Sequence, residues 1–209
     1  MTALLLHVGR VHRWVAEIVT TGATEMVKRS PADVAAEPGA ALAWYEEGLA
    51  GVVGALGNAG PDARVWNWFD RAPAPVQFWH RRMAQETAVH RWDGEAADAA
   101  GASPIAAELA VDGIDEYLAM VNLWLARTPV AGFAGSLHLH ATDVAGEWSL
   151  TLAPDHVEHT REHTKADAAL RGSASDLLLW ATNRKACDAG GLEPFGDRAI
   201  IEAWRQLTF

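Results

Sequence analysis

The sequence predicts an α+β protein of two domains, a helical bundle over residues 1–128 and a small α+β domain over residues 129–209. Three observations predict it. Apolar residues recur with the period of a helix as far as Leu125, the period changes to two from Gly135, and Thr128-Pro129 punctuates the interval.

Ala3 to Thr21 carries Leu4, His7, Val11, Trp14 and Ile18 on one face, and Gly22 follows as a helix stop. Pro38 to Leu56 repeats the pattern with Leu42, Tyr45, Leu49, Val52 and Leu56. Pro38 suits its first turn and Gly57 its end. Asn58 to Pro75, rich in Gly, Pro, Asp and Asn, reads as a loop bearing Trp66 and Trp68. Trp79–Asp93 is a third helix. A fourth starts at Ser103-Pro104, a capping residue with Pro behind it, and runs through Ile105, Leu109, Ile114, Leu118, Val121 and Leu125.

Leu137, Leu139 and Ala141 then alternate with Ser136, His138 and His140. Asp143 to Gly146 makes a turn, and Trp148, Leu150 and Leu152 resume the alternation, which is the pattern of a β-hairpin. Val157–Thr164 and Ala166–Leu170 read as extended, Ser173–Asn183 as a helix and Arg198–Leu207 as a closing helix.

Composition narrows the function classes. The net charge is −10, from 17 Lys and Arg against 27 Asp and Glu, with no basic stripe, which argues against nucleic acid as a partner. Nothing is long and apolar enough for a membrane span or a signal peptide, and the single cysteine, Cys187, excludes an internal disulfide framework. A cytoplasmic location is expected. Ten tryptophans are many for 209 residues, and core packing is the simplest use for them. Cys187 has no partner motif, so a nucleophilic role is not expected, and Gly190-Gly191 lacks the strand and helix of a phosphate loop.

The third helix carries the chemistry. Trp79, Met83, Glu86, His90 and Asp93 fall on one face, so a carboxylate and an imidazole lie one turn apart on an apolar stripe. Burying a lone carboxylate there is costly unless something neutralises it, and a divalent metal would do so. A third ligand must come from another element. His7 is central on the first helix's stripe; His12 lies about 140° further round, so the two cannot both address one ion. His7 is preferred because its neighbours Leu4, Val11 and Trp14 are apolar while Arg13 follows His12. Three nitrogen and oxygen donors would leave a coordination position open, as in catalytic zinc sites. The plainer alternative is a helical Glu–His ion pair with a core histidine. His138 and His140 share a strand face, with His156, His159 and His163 downstream. They admit a second metal site, though solvent-facing strand and turn residues are the simpler reading.

The string from Arg81 through Glu86-Thr87-Ala88-Val89-His90-Arg91-Trp92 to Asp93 closely resembles the signature of the mycothiol-dependent maleylpyruvate isomerase family, within the DinB-like metalloproteins. Leu6 to Trp14 resembles that family's earlier His-bearing helix, and Ala166 to Leu179 resembles its sterol-carrier-like C-terminal domain. The resemblance implies a DinB-like four-helix bundle whose divalent metal, zinc, is held by His7, Glu86 and His90. Family members carry a further helix before the His7 segment, on which this chain almost begins. The implication is an upstream start, or a bundle lacking its first helix with an apolar groove for a partner. The C-terminal domain is expected to supply a basic residue, with Arg184 and Arg198 as candidates, and Arg82 is a candidate for holding an anionic group.

The implied activity is that of a metal-dependent enzyme with mycothiol as co-substrate and a small-molecule electrophile as the other reactant. A thiolate made available by the metal would attack an electrophilic carbon, giving S-transfer or maleylpyruvate-type cis–trans isomerisation. Competing expectations are a non-catalytic, metal-stabilised carrier of an apolar small molecule and a thiol-independent zinc hydrolase. A homodimer is left open.

Overall fold

A computed structural model of the chain describes residues 1–28, 38–69 and 73–207. Its contacts divide the chain into two compact units, Met1–Ser103 and Pro104–Phe209.

The first unit holds three long helices, α1 (Thr2–Thr21), α2 (Ala41–Asn58) and α3 (Gln77–Ala96), and α1 packs on both of the others. Gly22 ends α1 in the left-handed conformation, φ 60°, that glycine adopts without a Cβ penalty. The α1–α2 crossing depends on two more glycines. A Cβ on Gly9 would stand 2.6 Å from the Trp44 ring, and one on Gly48 would stand 3.0 Å from the Gly9 carbonyl oxygen.

The predicted 58–75 loop is more ordered than its composition suggests, although residues 70–72 of it lie outside the described residues. It forms a short antiparallel pair, β1 (Arg64–Val65) with β2 (Ala74–Pro75). Its tryptophans enter the core. Trp68 stacks on Trp14 with centroids 6.0 Å apart and meets Trp79 edge-on at 4.9 Å. The Trp79 indole N–H donates to the Trp66 carbonyl at 2.8 Å, so the polar end of a fully buried side chain is satisfied.

The second unit begins with α4 (Ala107–Leu125) and contains a five-stranded sheet. Its strands are β3 (Gly135–Ala141), β4 (Glu147–Ala153), β5 (His156–Thr160), β6 (Ala168–Gly172) and β7 (Leu192–Gly196), in the order β5-β4-β3-β6-β7. The β3–β6 pair is parallel and the other pairs are antiparallel. Helices α5 (Ala174–Ala181) and α6 (Arg198–Ala203) complete the unit. The predicted hairpin is present. Leu139 lies opposite Trp148 and Leu137 opposite Leu150, all four buried, while His140 lies opposite Glu147 and His138 opposite Ser149 on the other face.

Three expectations need correction. The division falls after Ser103 and not at 128/129, because α4 packs on α5 and β5. The Asn122 amide accepts the Val157 N–H at 2.6 Å and donates to the Val157 carbonyl at 2.9 Å, and Asp115 accepts the Trp148 indole N–H at 2.7 Å. The fourth predicted helix therefore belongs to the second unit, and the described part of the first unit has three long helices. Ser103-Pro104 does not start α4 either. Ser103 donates its N–H to Glu95 at 2.7 Å and Ile105 donates to the Ser175 hydroxyl at 3.0 Å, so this stretch stays extended until Ala107. Strand β7 was not predicted, since Pro194 interrupts its pattern, which an edge strand tolerates.

Candidate metal centre

Glu86 sits in the middle of α3 with its side chain 16% exposed, and the two oxygens of its carboxylate have different partners. Oε2 accepts from Arg82 Nη2 at 2.6 Å, one turn earlier on the same helix. Oε1 lies 3.3 Å from Nε2 of His90, one turn later, and 3.3 Å from Nε2 of His7 on α1. One donor atom from each of His7, Glu86 and His90 falls within 4.8 Å of the others, and the two imidazole rings meet edge-on at 4.9 Å. The three residues singled out in the sequence thus converge on one point.

The far side of His90 is fixed as well. Its Nδ1 lies 2.8 Å from Asp93 Oδ2. An ionised carboxylate only accepts, so in the neutral ring the proton sits on Nδ1 and the Nε2 lone pair faces Glu86. A lone pair set against a carboxylate oxygen calls for a proton or a cation between them. The spacing of 3.3 Å exceeds the roughly 2.7–2.9 Å of a charge-assisted hydrogen bond. It matches the edge of about 3.3 Å separating two donors that each lie about 2.05 Å from a tetrahedral zinc. The donor set, its spacing and the Asp93 support fit a divalent ion.

Electrostatics agree. With no ion bound and both imidazoles protonated, burial pushes the Glu86 carboxyl up, but hydrogen bonds from His7 and His90 and the Arg82 charge outweigh it and hold the group well below the usual carboxylate range. Glu86 is therefore ionised at any working pH.

His7 differs in one respect from its sequence reading. Its side chain is 49% exposed, at the rim and not on the buried stripe. The buried face of α1 runs through Val8, Val11, His12, Val15 and Ile18. His12 is the fully buried histidine. Its Nε2 faces the Thr87 hydroxyl at 3.4 Å, outside the cluster, and burial holds its pKa below the ordinary value. Beside His90 opens a pocket of 280 Å³ whose apolar wall includes Leu4, Leu5, Val8 and Tyr45.

Two residues act differently from their sequence roles. Arg82, the sequence's candidate for an anionic ligand, is bound to Glu86. Asp93, a member of the stripe by spacing, is the His90 partner, and its i, i+3 spacing from His90 is the signal for that role. Arg184 and Arg198 lie in the second unit, where Arg184 donates to the Thr182 carbonyl at 2.9 Å and Arg198 contacts Cys187 Sγ at 3.6 Å.

Residues 1–94 match the model of the mycothiol maleylpyruvate isomerase N-terminal domain, and residues 108–203 match the model of the same family's C-terminal domain. The chain belongs to the mycothiol maleylpyruvate isomerase family. The family's two domain matches leave residues 95–107 between them, the interval in which the contacts divide the chain. Among solved structures, a histidine-to-alanine variant of the mycothiol-dependent maleylpyruvate isomerase superposes with a TM-score of 0.58 at 16% identity, covering 91% of this chain and 75% of that one. It shares the fold. The UbiJ-SCP2 ubiquinone synthesis protein is similar over 48% of this chain and 93% of its own, at 22% identity and a TM-score of 0.35. The sterol carrier protein 2 like 2 of Aedes aegypti covers 46% of this chain and 95% of its own, at 14% identity and a TM-score of 0.34. No curated protein matches. Among the described residues, no helix is long and apolar enough to cross a membrane.

Proposed function

We propose that the chain is a metal-dependent enzyme that uses mycothiol as co-substrate and acts on a small electrophile, as an S-transferase or a maleylpyruvate-type cis–trans isomerase. The observation that carries this reading is the placing of Glu86 Oε1 at 3.3 Å from both His7 and His90 Nε2. His7, Glu86 and His90 would hold the divalent ion, most simply zinc. A bound divalent cation supplies the charge that keeps a thiol, otherwise mostly protonated at neutral pH, in its thiolate form.

The chain's own residues do the rest. Asp93 fixes the His90 ring so that its Nε2 lone pair faces the Glu86 carboxylate and an ion held there. Arg82 holds one Glu86 oxygen so that the other faces the histidines. The half-exposed His7 marks the side from which a thiol enters. The Leu4, Leu5, Val8 and Tyr45 wall gives the carbon skeleton of an electrophile an apolar surface to lie against.

The chemistry then has two outcomes. Thiolate adds to one carbon of a conjugated cis double bond, leaving a stabilised carbanion; rotation about the resulting single bond and expulsion of the thiolate yield the trans isomer and regenerate the thiolate. Where the adduct is retained with a proton from solvent, the product is a thioether. The test is to incubate zinc-loaded protein with mycothiol and a panel of electrophiles that includes maleylpyruvate, following both thiol consumption and isomer ratio. Isomerisation without thiol loss assigns an isomerase, and stoichiometric thiol loss assigns an S-transferase. No turnover across the panel, or equal turnover without thiol, overturns the proposal.

A further inference from the structure

The second unit contains another convergence of metal-binding side chains. β3 places His138 and His140 on one face of the sheet, and β4 sets Glu147 directly opposite His140. The segment after β5 brings His163 over the same face. One donor atom from each of the four lies within 4.8 Å of the others.

The segment carrying His163 is pinned on both sides. Ser149, the cross-strand neighbour of His138, donates its hydroxyl to the Glu162 carbonyl at 2.7 Å and accepts from Thr164 at 2.6 Å. Glu147 Oε1 is shared by His140 Nδ1 at 2.6 Å and His163 Nδ1 at 3.2 Å, and the His163 ring stands edge-on to His138 at 4.7 Å. The expectation of solvent-facing residues fails at His138, which is 6% exposed. Its Nε2 is buried with no hydrogen-bond partner among the described residues, a costly arrangement without a ligand. His156 and His159, the other two candidates, lie on β5 outside the cluster.

We infer that His138, His140, Glu147 and His163 form a second divalent-metal site, suited to a first-row ion such as Zn²⁺, which clamps the 161–165 segment to the sheet. Three imidazoles and a carboxylate are the donor set of borderline ions. Four protein ligands, against three at the first centre, mark a site that holds structure and not one that offers an open position to substrate.

The test uses the full-length chain stripped with a chelator and titrated with Zn²⁺ against a chromophoric competitor. The His7→Ala/Glu86→Gln double variant removes the first centre and is expected to retain one equivalent of zinc. Adding His163→Ala, whose side chain is 71% exposed and so not needed for folding, is expected to weaken that equivalent at least about ten-fold, and Glu147→Gln similarly. Circular dichroism verifies that each variant is folded. Co²⁺ in place of Zn²⁺ should give the intense visible bands of a four-coordinate site. A double variant that binds no zinc, or binds it equally well after His163→Ala, overturns the inference, whatever the first centre does.

Discussion

Arg82 and Glu86, one turn apart on α3, meet at 2.6 Å between Nη2 and Oε2, and this bond decides which carboxylate oxygen is left for the histidines. Both side chains are largely buried, 13% and 16% exposed, so the pair is not one of the solvated helix-surface pairs that contribute little. Arg82→Met would leave the carboxylate free to rotate away from His7 and His90. Zinc affinity at the first centre is expected to fall by about ten- to a hundred-fold, the effect of losing an outer partner. Competition titration against a chelator measures it, and unchanged affinity would remove Arg82 from the site.

Glu86 also predicts an acid limb for the metal-stripped protein. Its carboxyl is depressed in the folded chain, so the stability it contributes is complete above the unfolded value of about 4.3 and is lost as pH falls from there towards the folded value. The stability difference between wild type and Glu86→Gln should therefore narrow on acidification below about pH 4.3. Urea titrations at several pH values check this, and parallel curves would contradict it.

Gly9 sits where α1 crosses α2, and a methyl group there would collide with Trp44 at 2.6 Å. Gly9→Ala is expected to cost about 1–3 kcal/mol, the usual price of overpacking. Because His7 lies half a turn away on α1, the same substitution should weaken zinc binding. Chemical denaturation and metal titration of one preparation test the two effects together.

Cys187 is buried and donates its S–H to Glu202 Oε1 at 2.7 Å. Burial and the neighbouring Glu202 carboxylate both push the thiol up from its ordinary value. Cys187→Ala is expected to retain full thiol-dependent turnover. In the folded wild type, alkylation at pH 8 should be far slower than for a free thiol, as mass spectrometry over time would show.

The helices, the hairpin and the candidate residues His7, Glu86 and His90 are readable from local pattern. The 3.6-residue stripes of α1 to α4 and the period-two run from Gly135 locate their elements because side-chain direction is fixed by backbone geometry, whatever packs against it. Glu86 and His90 were legible for the same reason, since an i, i+4 pair on one helix must point one way. In the sequence, the apolar neighbours Leu4, Val11 and Trp14 favour His7 over His12, which Arg13 follows. The choice agrees with the geometry, but the supporting reason did not hold, since the sequence cannot say which of two overlapping faces a partner helix will cover.

Tertiary contacts decided the remainder. The apolar stripe of α4 reads identically whether it joins α1–α3 or a sheet, and its packing on α5 and β5, with Asn122 bonding to Val157 and Asp115 to Trp148, assigns it to the second unit. The His138, His140, Glu147 and His163 cluster depends on strand register and on the Ser149 bonds that fold the next segment back. Local sequence fixes the direction in which a side chain leaves its own element. Which distant residue meets it is a long-range packing outcome, set by the whole core at once.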